Sequence, residues 1–345
     1  QSGAKDLQTA EAAKTAQRLG EALALEGDRQ RSVDFFALAV GALESLFGPG
    51  SVETIESRTD LGLALLRQGK AREASSTLDE AMWARVATQR IEGSAGGMSR
   101  NLGGLVEALI RRGPEGDEAM ELEGALAAVE KINLLAWRYF TQHWPFEGQT
   151  VMQQMIDAIE ADEGGGAYSP ASQDLVASAY LYNLGFLRLA VLGEYKSAAE
   201  LLLRAQALRA PILGNVHSLT VQAVVSRGHA LTLTGYTILA VKELTSTADA
   251  LLEAGQAAAA ERLARQALRA GYDPLGTHTY THACFTQHVN MLKGWGNEAR
   301  QARSNDFQTK QIAIARKAQL GIRDRGMGTA SKTLGKALLA QIDVS

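Results

Sequence analysis

The residues best suited to binding a metal form a histidine and cysteine cluster late in the chain. His278, His282, Cys284 and His288 lie close together in the sequence, and imidazole and thiolate are the ligands that zinc prefers. Residues four apart share one face of a helix, which joins His278 to His282 but places Cys284 and His288 on a different face. We therefore interpret the four as ordinary helix positions and expect no bound metal or other cofactor.

Two other features could carry chemistry, and both are incomplete. Cys284 has no base at a fixed spacing that would activate it as a nucleophile. The glycine pair Gly103-Gly104 lacks both a preceding strand and the Lys-Ser/Thr pair of a phosphate-binding loop. The sequence therefore contains no complete catalytic constellation, and we expect the protein not to be an enzyme.

Composition places the chain among ordinary globular proteins. Its 345 residues are 46% apolar, with a formal net charge of −3, 6 prolines and 1 cysteine. A disulfide scaffold and bulk disorder are excluded.

The most apolar stretch, residues 184–192, is shorter than a membrane span and carries Arg188 at its centre. Since no apolar leader follows Gln1, we expect an intracellular protein without a membrane span, in the cytoplasm or, after processing, inside an organelle.

Apolar residues recur at three- and four-residue spacing almost throughout, which predicts an all-α protein. The same residue types also recur after 42 positions. A first series is Leu19, Gly20, Leu23, Gly27, Ser32, Phe36 and Ala39, and its counterpart is Leu61, Gly62, Leu65, Gly69, Ala74, Leu78 and Ala81. Further copies are Gly193, Ala198 and Leu202 with Gly235, Ala240 and Leu244, and a weaker one is Leu251, Gly255, Ala260, Ala264 and Ala267.

These residue types fit a pair of antiparallel helices. The small residue beside leucine allows the two helices to approach closely, and the later glycine gives the turn its backbone freedom. The pattern resembles the tetratricopeptide repeat. The 42-residue period and the linkers 47–54, 213–220 and 275–281 resemble the kinesin light chain type of that repeat, in which Thr54 and Thr220 would cap the following helices.

The resemblance implies an α-solenoid of antiparallel helix pairs. We expect helical repeats over residues 1–130 and 173–303, an irregular aromatic and acidic connector over 131–172, and a basic helical tail over 304–345. Only 20 residues separate Gly235 from Gly255, which is too few for a full repeat. Either one helix is shared between two repeats, or the chain as given lacks a loop.

The connector is rich in aromatic and acidic side chains. Residues 114–163 hold 11 acidic and 2 basic side chains. We interpret the aromatic residues as a plug that fills the seam between the two arrays. They are Trp137, Tyr139, Phe140, Trp144 and Phe146.

The resemblance also implies where ligands would bind. In such repeats the first helix of each pair lines a concave groove, whose polar residues here would be Arg58, Asn183, Arg227, Gln287 and Asn290. Stacked helix pairs offer a broad surface without a preformed reaction centre. We therefore expect a non-catalytic protein–protein interaction scaffold or a subunit of a larger assembly. The alternatives are a peptide-binding receptor that uses the groove and an RNA- or ribosome-associated subunit.

The RNA alternative depends on the basic tail. Residues 301–345 carry 8 basic and 3 acidic side chains, which suits an anionic partner. Because Phe307 is the only aromatic residue there, base stacking is poorly supported. We predict instead that the tail docks onto another subunit through charged and apolar side chains, namely Arg316, Lys317, Arg323, Arg325 and Leu338.

This docking prediction is tested by deleting residues 304–345. The truncated chain should keep nearly the same helical signal per residue in circular dichroism and should assemble more weakly, because the segment has few apolar partners of its own. If the truncated chain unfolds, the tail is a capping helix of the repeats and the docking assignment fails.

Overall fold

The structure is a computed structural model that describes residues 9–88, 95–113, 117–141, 144–161 and 168–275. All regular secondary structure in these residues is helical, which confirms the all-α class. The chain divides into two compact units between Leu187 and Arg188. The histidine and cysteine cluster, the linker at 276–281, Gln287, Asn290 and the basic tail lie outside the described residues.

Within the described residues the first unit contains eight α-helices, of which the first four are joined by short turns. Each helix from α1 to α5 packs against the next, α5 also contacts α6 and α7, and α8 packs against both α6 and α7. The helices are α1 (Ala10–Glu26), α2 (Arg29–Phe47), α3 (Val52–Arg67), α4 (Ala71–Thr88), α5 (Ala95–Ile110), α6 (Glu118–Thr141), α7 (Pro145–Ala161) and α8 (Pro170–Leu187).

The part of the second unit that the structure describes begins with a short π-helix and continues as four packed α-helices. Helix α10 contacts both α9 and α11, and α11 in turn packs against α12. The elements are the π-helix Arg188–Leu192, α9 (Tyr195–Leu213), α10 (Ser218–Leu233), α11 (Thr237–Glu253) and α12 (Ala257–Leu275).

The turn inside a helix pair is closed by one glycine in the left-handed region. At Gly27 (φ 85°) the glycine N–H donates to the Ala24 carbonyl and the Asp28 N–H donates to the Leu23 carbonyl. This pattern is a Schellman motif, which a side chain with a Cβ would strain. The same two bonds recur at Gly69, Gly235 and Gly255. The turn glycines therefore occupy the positions predicted from the repeat.

The linkers between helix pairs differ from the prediction in their capping residue. The Ser51 Oγ accepts a hydrogen bond from the Thr54 N–H at 3.2 Å, and the His217 Nδ1 accepts one from the Leu219 N–H at 3.3 Å. The prediction that Thr54 and Thr220 cap α3 and α10 is therefore wrong. Both threonines lie buried within the first turn, because the chain enters the helix three residues earlier than we expected.

The small residue beside leucine marks the closest approach of paired helices. A Cβ added at Gly62 would lie 2.5 Å from the Leu78 Cγ, and one at Gly228 would lie 3.0 Å from Leu244. At Gly20 the same atom would meet the ring of Phe36 at 3.2 Å. Each glycine therefore faces the large apolar residue of the second helix. The repeat pattern predicted the close approach, but we expected Ala74 to fill the contact with Gly62 and Leu78 to face the next repeat.

The spacing between the small residue and the turn glycine is one residue longer before Gly193 than in the other repeats. The small residue precedes the turn glycine by seven positions in Gly20–Gly27 and Gly62–Gly69, whereas Gly185 precedes Gly193 by eight. The π-helix Arg188–Leu192 lies within that interval. A π-turn accommodates one additional residue in a helical segment, and the Glu194 N–H accordingly donates to the Arg188 carbonyl, one residue farther back than at the other turns.

The short interval between Gly235 and Gly255 is explained by a shared helix. Helix α11 follows the Gly235 turn and packs against α10, then ends at the Gly255 turn and packs against α12. Its buried residues include Leu244, which faces α10, and Leu251, which lies in one apolar cluster with residues of α12. A single helix thus closes one pair and opens the next.

The stretch expected to be an irregular connector is helical over much of its length. Helix α6 continues to Thr141, and α7 occupies Pro145–Ala161. In α6 the buried residues Ala125, Ala128, Val129, Ile132, Leu135 and Ala136 recur at helical spacing. The concentration of aromatic residues there therefore reflects helix surfaces and core positions.

One continuous helical segment is longer and more apolar than we expected. Pro170–Leu192 has the length and composition of a membrane-spanning helix, although 67% of its most apolar stretch is buried inside the protein. Burial of this extent is typical of a core helix. Within the described residues, no other helix passes the same test.

The second unit also buries a complete arginine side chain. Arg209 of α9 is fully buried, and its Nη1 donates a hydrogen bond to the Leu219 carbonyl of α10 at 2.7 Å. A buried guanidinium is tolerated only where hydrogen bonds replace its water shell. This side chain therefore ties α9 to the first turn of α10.

Candidate functional site

A concave depression with exposed apolar walls lies on the second unit between α9, α10 and α11. Its volume is about 180 Å³, and Leu203, Tyr236 and Leu239 line it while remaining 44%, 59% and 40% exposed. The buried Leu231 also contributes to the lining. The depression therefore combines a concave shape with partly exposed apolar side chains and a tyrosine at its edge.

The charged residues around this depression are of both signs. Lys196 and Glu200 of α9 line it beside Arg227 of α10. The Arg227 guanidinium forms an ion pair with the Glu243 carboxylate of α11, so its charge is already neutralised by a neighbouring helix. The depression therefore carries no strong net charge and does not favour a highly acidic or highly basic ligand.

A network of charged and amide side chains connects α1, α3, α4 and α5 of the first unit. The nearly buried Asp60 carboxylate accepts hydrogen bonds from Gln17, at 2.7 Å, and from the Arg100 guanidinium. Glu56 pairs with Arg85 at 2.7 Å and lies 3.9 Å from Arg100. The two arginines are therefore occupied by carboxylates of the same unit.

The predicted groove residues in the described chain have internal partners. Arg58 of α3 is mostly buried and pairs with Glu44 of α2 at 3.2 Å. Asn183 of α8 is buried, and its Nδ2 donates to Asn133 Oδ1 at 2.7 Å and to the Ala179 carbonyl. Arg227 lines the depression on the second unit. The assignment of these residues to a common groove stays a prediction.

The aromatic residues of α6 and α7 lie in different environments. Tyr139 is buried in the core of the first unit, whereas Trp137 and Phe146 are 54% and 68% exposed. The Phe140 ring contacts Trp137 at 5.4 Å and Phe186 of α8 at 5.6 Å. These rings help to pack α6 against α8, and their role as a plug between two arrays stays a prediction.

A pocket of about 310 Å³, partly open to solvent, lies between α5, α7 and α8 of the first unit. Its walls are mainly apolar, and Tyr180 of α8 lines it. The Tyr180 hydroxyl is buried and has no hydrogen-bond partner among the residues that the structure describes. Burial, with a smaller contribution from Tyr168, raises the pKa of this hydroxyl above its ordinary value, so it remains a protonated donor.

Sequence reasoning identified neither the depression on the second unit nor this pocket. Both are formed by residues from three helices, and periodicity along one helix does not show how three helices enclose a space. The unusual tyrosine content of the buried helix α8, with Tyr180 and Tyr182 among leucines, was the available signal for the pocket.

No group of three or more potential metal ligands comes together in the described part of the chain. The His278–His288 cluster lies beyond it.

A comparison with known protein families identifies the residues that form the best-defined repeats. The sequence profile of the tetratricopeptide repeat matches residues 11–82, which correspond to α1–α4. A search of curated protein sequences found no significant match.

Solved structures of repeat proteins resemble the chain weakly. A Podosopora anserina protein with nearly identical kinesin light chain TPR-like repeats is 14% identical, with a TM-score of 0.32 over 70% of this chain and 95% of its own. The TPR2AB domain of yeast Sti1, in complex with pHSP90, is 14% identical, with a TM-score of 0.30 over 76% of this chain and 100% of its own. A circular tandem repeat protein covers 97% of this chain and 77% of its own, at 14% identity and a TM-score of 0.26.

The profile match agrees with the geometry of the first four helices. Gly27 and Gly69 close equivalent turns 42 residues apart, and Gly20 and Gly62 face Phe36 and Leu78 at equivalent contacts. Tetratricopeptide repeats serve in general as protein-binding modules and are generally non-catalytic. The first two helix pairs of this chain are therefore tetratricopeptide repeats, with the 42-residue spacing predicted from the sequence.

Proposed function

We propose that this protein is a non-catalytic scaffold or a subunit of a larger assembly, and that it holds a partner protein on its second unit. The observation that carries the proposal is the depression between α9, α10 and α11, with its partly exposed apolar walls. Water-exposed leucine and tyrosine side chains in a concave patch gain most when a partner covers them.

The size of the depression indicates what a partner would insert. An engineered cavity of about 150 Å³ takes one benzene molecule, and the depression measures about 180 Å³. One leucine or phenylalanine side chain of a partner would therefore fill it. Leu203 and Leu239 would surround such an anchor, and the Tyr236 ring would cover its edge.

The charges of the described residues favour a scaffold that binds its partner through apolar contacts over a receptor for acidic peptides. Such a receptor needs several cations that no carboxylate neutralises, whereas Lys196 lines the depression together with Glu200. Arg85 and Arg100 pair with Glu56 and Asp60, and Arg227 pairs with Glu243. Nucleic acid binding was predicted from the tail, which lies outside the described residues, and nothing in the described helices adds support for it.

The proposal predicts that the double variant Leu203→Ser, Leu239→Ser releases the partner. Each serine removes an apolar wall at a cost of about 1.5–3 kcal/mol of burial, so recovery of the partner should fall by more than about tenfold. The measurement is affinity purification of tagged protein from the native source with quantitative mass spectrometry, followed by a binding constant for the purified partner.

The matched control is Leu25→Ser, since Leu25 is 91% exposed and lies in α1 of the other unit. It should retain the partner at the wild-type level. Circular dichroism of both variants verifies that the helices remain folded. Equal recovery of every partner by the double variant and by wild type excludes the second-unit surface as the binding site.

A further inference from the structure

Helix α6 leaves one of its sides open to solvent. Four of its residues follow one another at intervals of seven, four and three positions, and this spacing places them on one face of the helix. They are Glu123, Glu130, Leu134 and Trp137, and we call this surface the α6 face. All four are exposed, Leu134 by 49% and Trp137 by 54%. The leucine and the tryptophan form an apolar patch that a partner would stabilise by covering it.

The neighbouring helices border the α6 face without covering it. On one side the Lys131 ammonium pairs with the Asp79 carboxylate of α4 at 2.8 Å. On the other side the Asn183 Nδ2 of α8 donates a hydrogen bond to the Asn133 Oδ1. Successive residues of a helix are about 100° apart around its axis, so the α6 face lies between these two contacts and opposite the buried Ile132. It is therefore an open strip bordered by α4 and α8.

Aromatic contacts hold Trp137 in position at one end of this strip. Its ring centroid lies 5.4 Å from that of Phe140, and the Phe140 ring in turn lies 5.6 Å from that of Phe186 in α8. A side chain that its neighbours already restrain loses less conformational entropy when a partner covers it. Tryptophan is also among the residue types that dominate binding surfaces. Trp137 is therefore suited to be the anchor of the α6 face.

The surroundings of the α6 face are acidic. Residues 117–161, which include α6 and α7, carry 8 acidic and 2 basic side chains. Of the two cations, Lys131 is already paired with a carboxylate of α4, which leaves Arg138. The face itself carries Glu123 and Glu130. An acidic surface with exposed apolar side chains favours a partner that combines cations with apolar residues, and it repels nucleic acid and anionic membranes.

The basic tail of the chain has the complementary composition. Residues 301–345 carry 8 basic and 3 acidic side chains. Leu334, Leu338 and Ile342 recur there at every fourth position, which is the spacing of an apolar helix face. The tail thus combines the two properties that the α6 face favours in a partner.

We propose that the α6 face binds residues 304–345 of a second copy of this chain. The apolar residues of the tail cover Leu134 and Trp137, and its cations approach Glu123 and Glu130, which fixes the register of the segment. Because the face and the tail are different surfaces, the contact joins copies head to tail. This self-association uses the first unit and is independent of the partner-binding depression between α9, α10 and α11.

The test is the molar mass of the full chain, measured by sedimentation equilibrium over a wide range of protein concentrations. The mass should rise with concentration, and added salt should shift it towards the monomer because exposed charges are screened. Leu134→Ser with Trp137→Ser should lower the association constant by more than about tenfold, since both apolar side chains lose their burial. The matched control is Phe146→Ser with Glu147→Lys, two exposed residues of α7 outside the α6 face, and it should associate like wild type.

Charge reversal tests the pairing of the face with the tail directly. Glu123→Lys with Glu130→Lys should weaken association by about tenfold, because two attractions become repulsions. Lys332→Glu with Lys336→Glu in the same chain should restore most of that loss, since the tail of each copy then matches the reversed face of the next. A merely structural role of the two glutamates would not produce this restoration.

Circular dichroism of every variant verifies that the helices remain folded. The proposal is overturned if the full chain remains a monomer at every concentration, if association survives deletion of residues 304–345, or if Leu134→Ser with Trp137→Ser associates as strongly as its control. It is equally overturned if reversing the tail charges fails to restore association of the chain with the reversed face.

Discussion

The Gly62→Leu variant is expected to lose about 1–3 kcal/mol of stability or more, which is the usual cost of overpacking a filled core. Already the first side-chain atom would lie 2.5 Å from the Leu78 Cγ and 2.8 Å from its Cδ2. Leu78 is fully buried in α4, so it has no open space into which it can move. For a unit of this size, the thermal midpoint should fall by about 2–4 °C for each kcal/mol lost.

Gly41 provides a matched control within the same unit. It lies inside α2, and an added Cβ there has no atom within 4 Å. Gly41→Ala should therefore stabilise the protein by about 0.5–1 kcal/mol, because alanine loses less backbone entropy in a helix. Urea unfolding and thermal melting of both variants supply the comparison.

A double-mutant cycle shows whether the loss comes from this one contact. In a Leu78→Ala background the space opposite Gly62 is open, so Gly62→Leu should cost much less there than in wild type. An equal cost in both backgrounds, or a wild-type midpoint for Gly62→Leu alone, would remove the assignment of α3 and α4 to one repeat.

The Arg209→Ala variant should destabilise the second unit by about 2–5 kcal/mol. The change opens a cavity where a long buried stem was packed, and it removes the charged donor to the Leu219 carbonyl. Arg209→Lys should lie between wild type and alanine, because an ammonium keeps the charge but lacks the planar fork of donors. Urea unfolding, followed by helical circular dichroism, measures all three.

Arg204→Ala is the control on the same helix, since Arg204 is exposed. Exposed substitutions usually change stability by less than about 0.5 kcal/mol. If Arg209→Ala and Arg204→Ala unfold at the same urea concentration, Arg209 does not hold α9 against α10.

Features set by local backbone chemistry could be predicted from the sequence. The turns at Gly27, Gly69, Gly193 and Gly235 follow from residue type and spacing, since a left-handed residue at the end of a helix favours glycine. The close approach of the paired helices at Gly62 follows from the same repeat, whereas its partner is Leu78 and not the expected Ala74. The prediction of threonine caps was wrong because Ser51 and His217, three residues earlier, cap these helices instead. Residue type alone does not show which of two nearby candidates begins a helix.

Features set by three-dimensional packing could not be predicted in the same way. Arg209 has no sequence signal, because arginine is ordinarily a surface residue and its burial depends on what α10 places over it. The depression bounded by Leu203 and Tyr236, and the pocket beside Tyr180, each require the relative placement of three helices. The candidate groove residues were chosen by analogy with a repeat, and their ion pairs inside each unit depend on partners such as Glu44 and Glu243.

The shared helix α11 has a consequence for how the second unit unfolds. In an ordinary array each repeat has its own two helices, and neighbouring repeats can open nearly independently. Here α11 belongs both to the pair with α10 and to the pair with α12, so its loss removes two interfaces at once. Leu244 and Leu251 lie seven residues apart on one face of α11, in a single apolar cluster with Val224 of α10 and Leu263 of α12. We therefore expect the three helices α10–α12 to unfold as one cooperative element, with partial unfolding from the middle disfavoured.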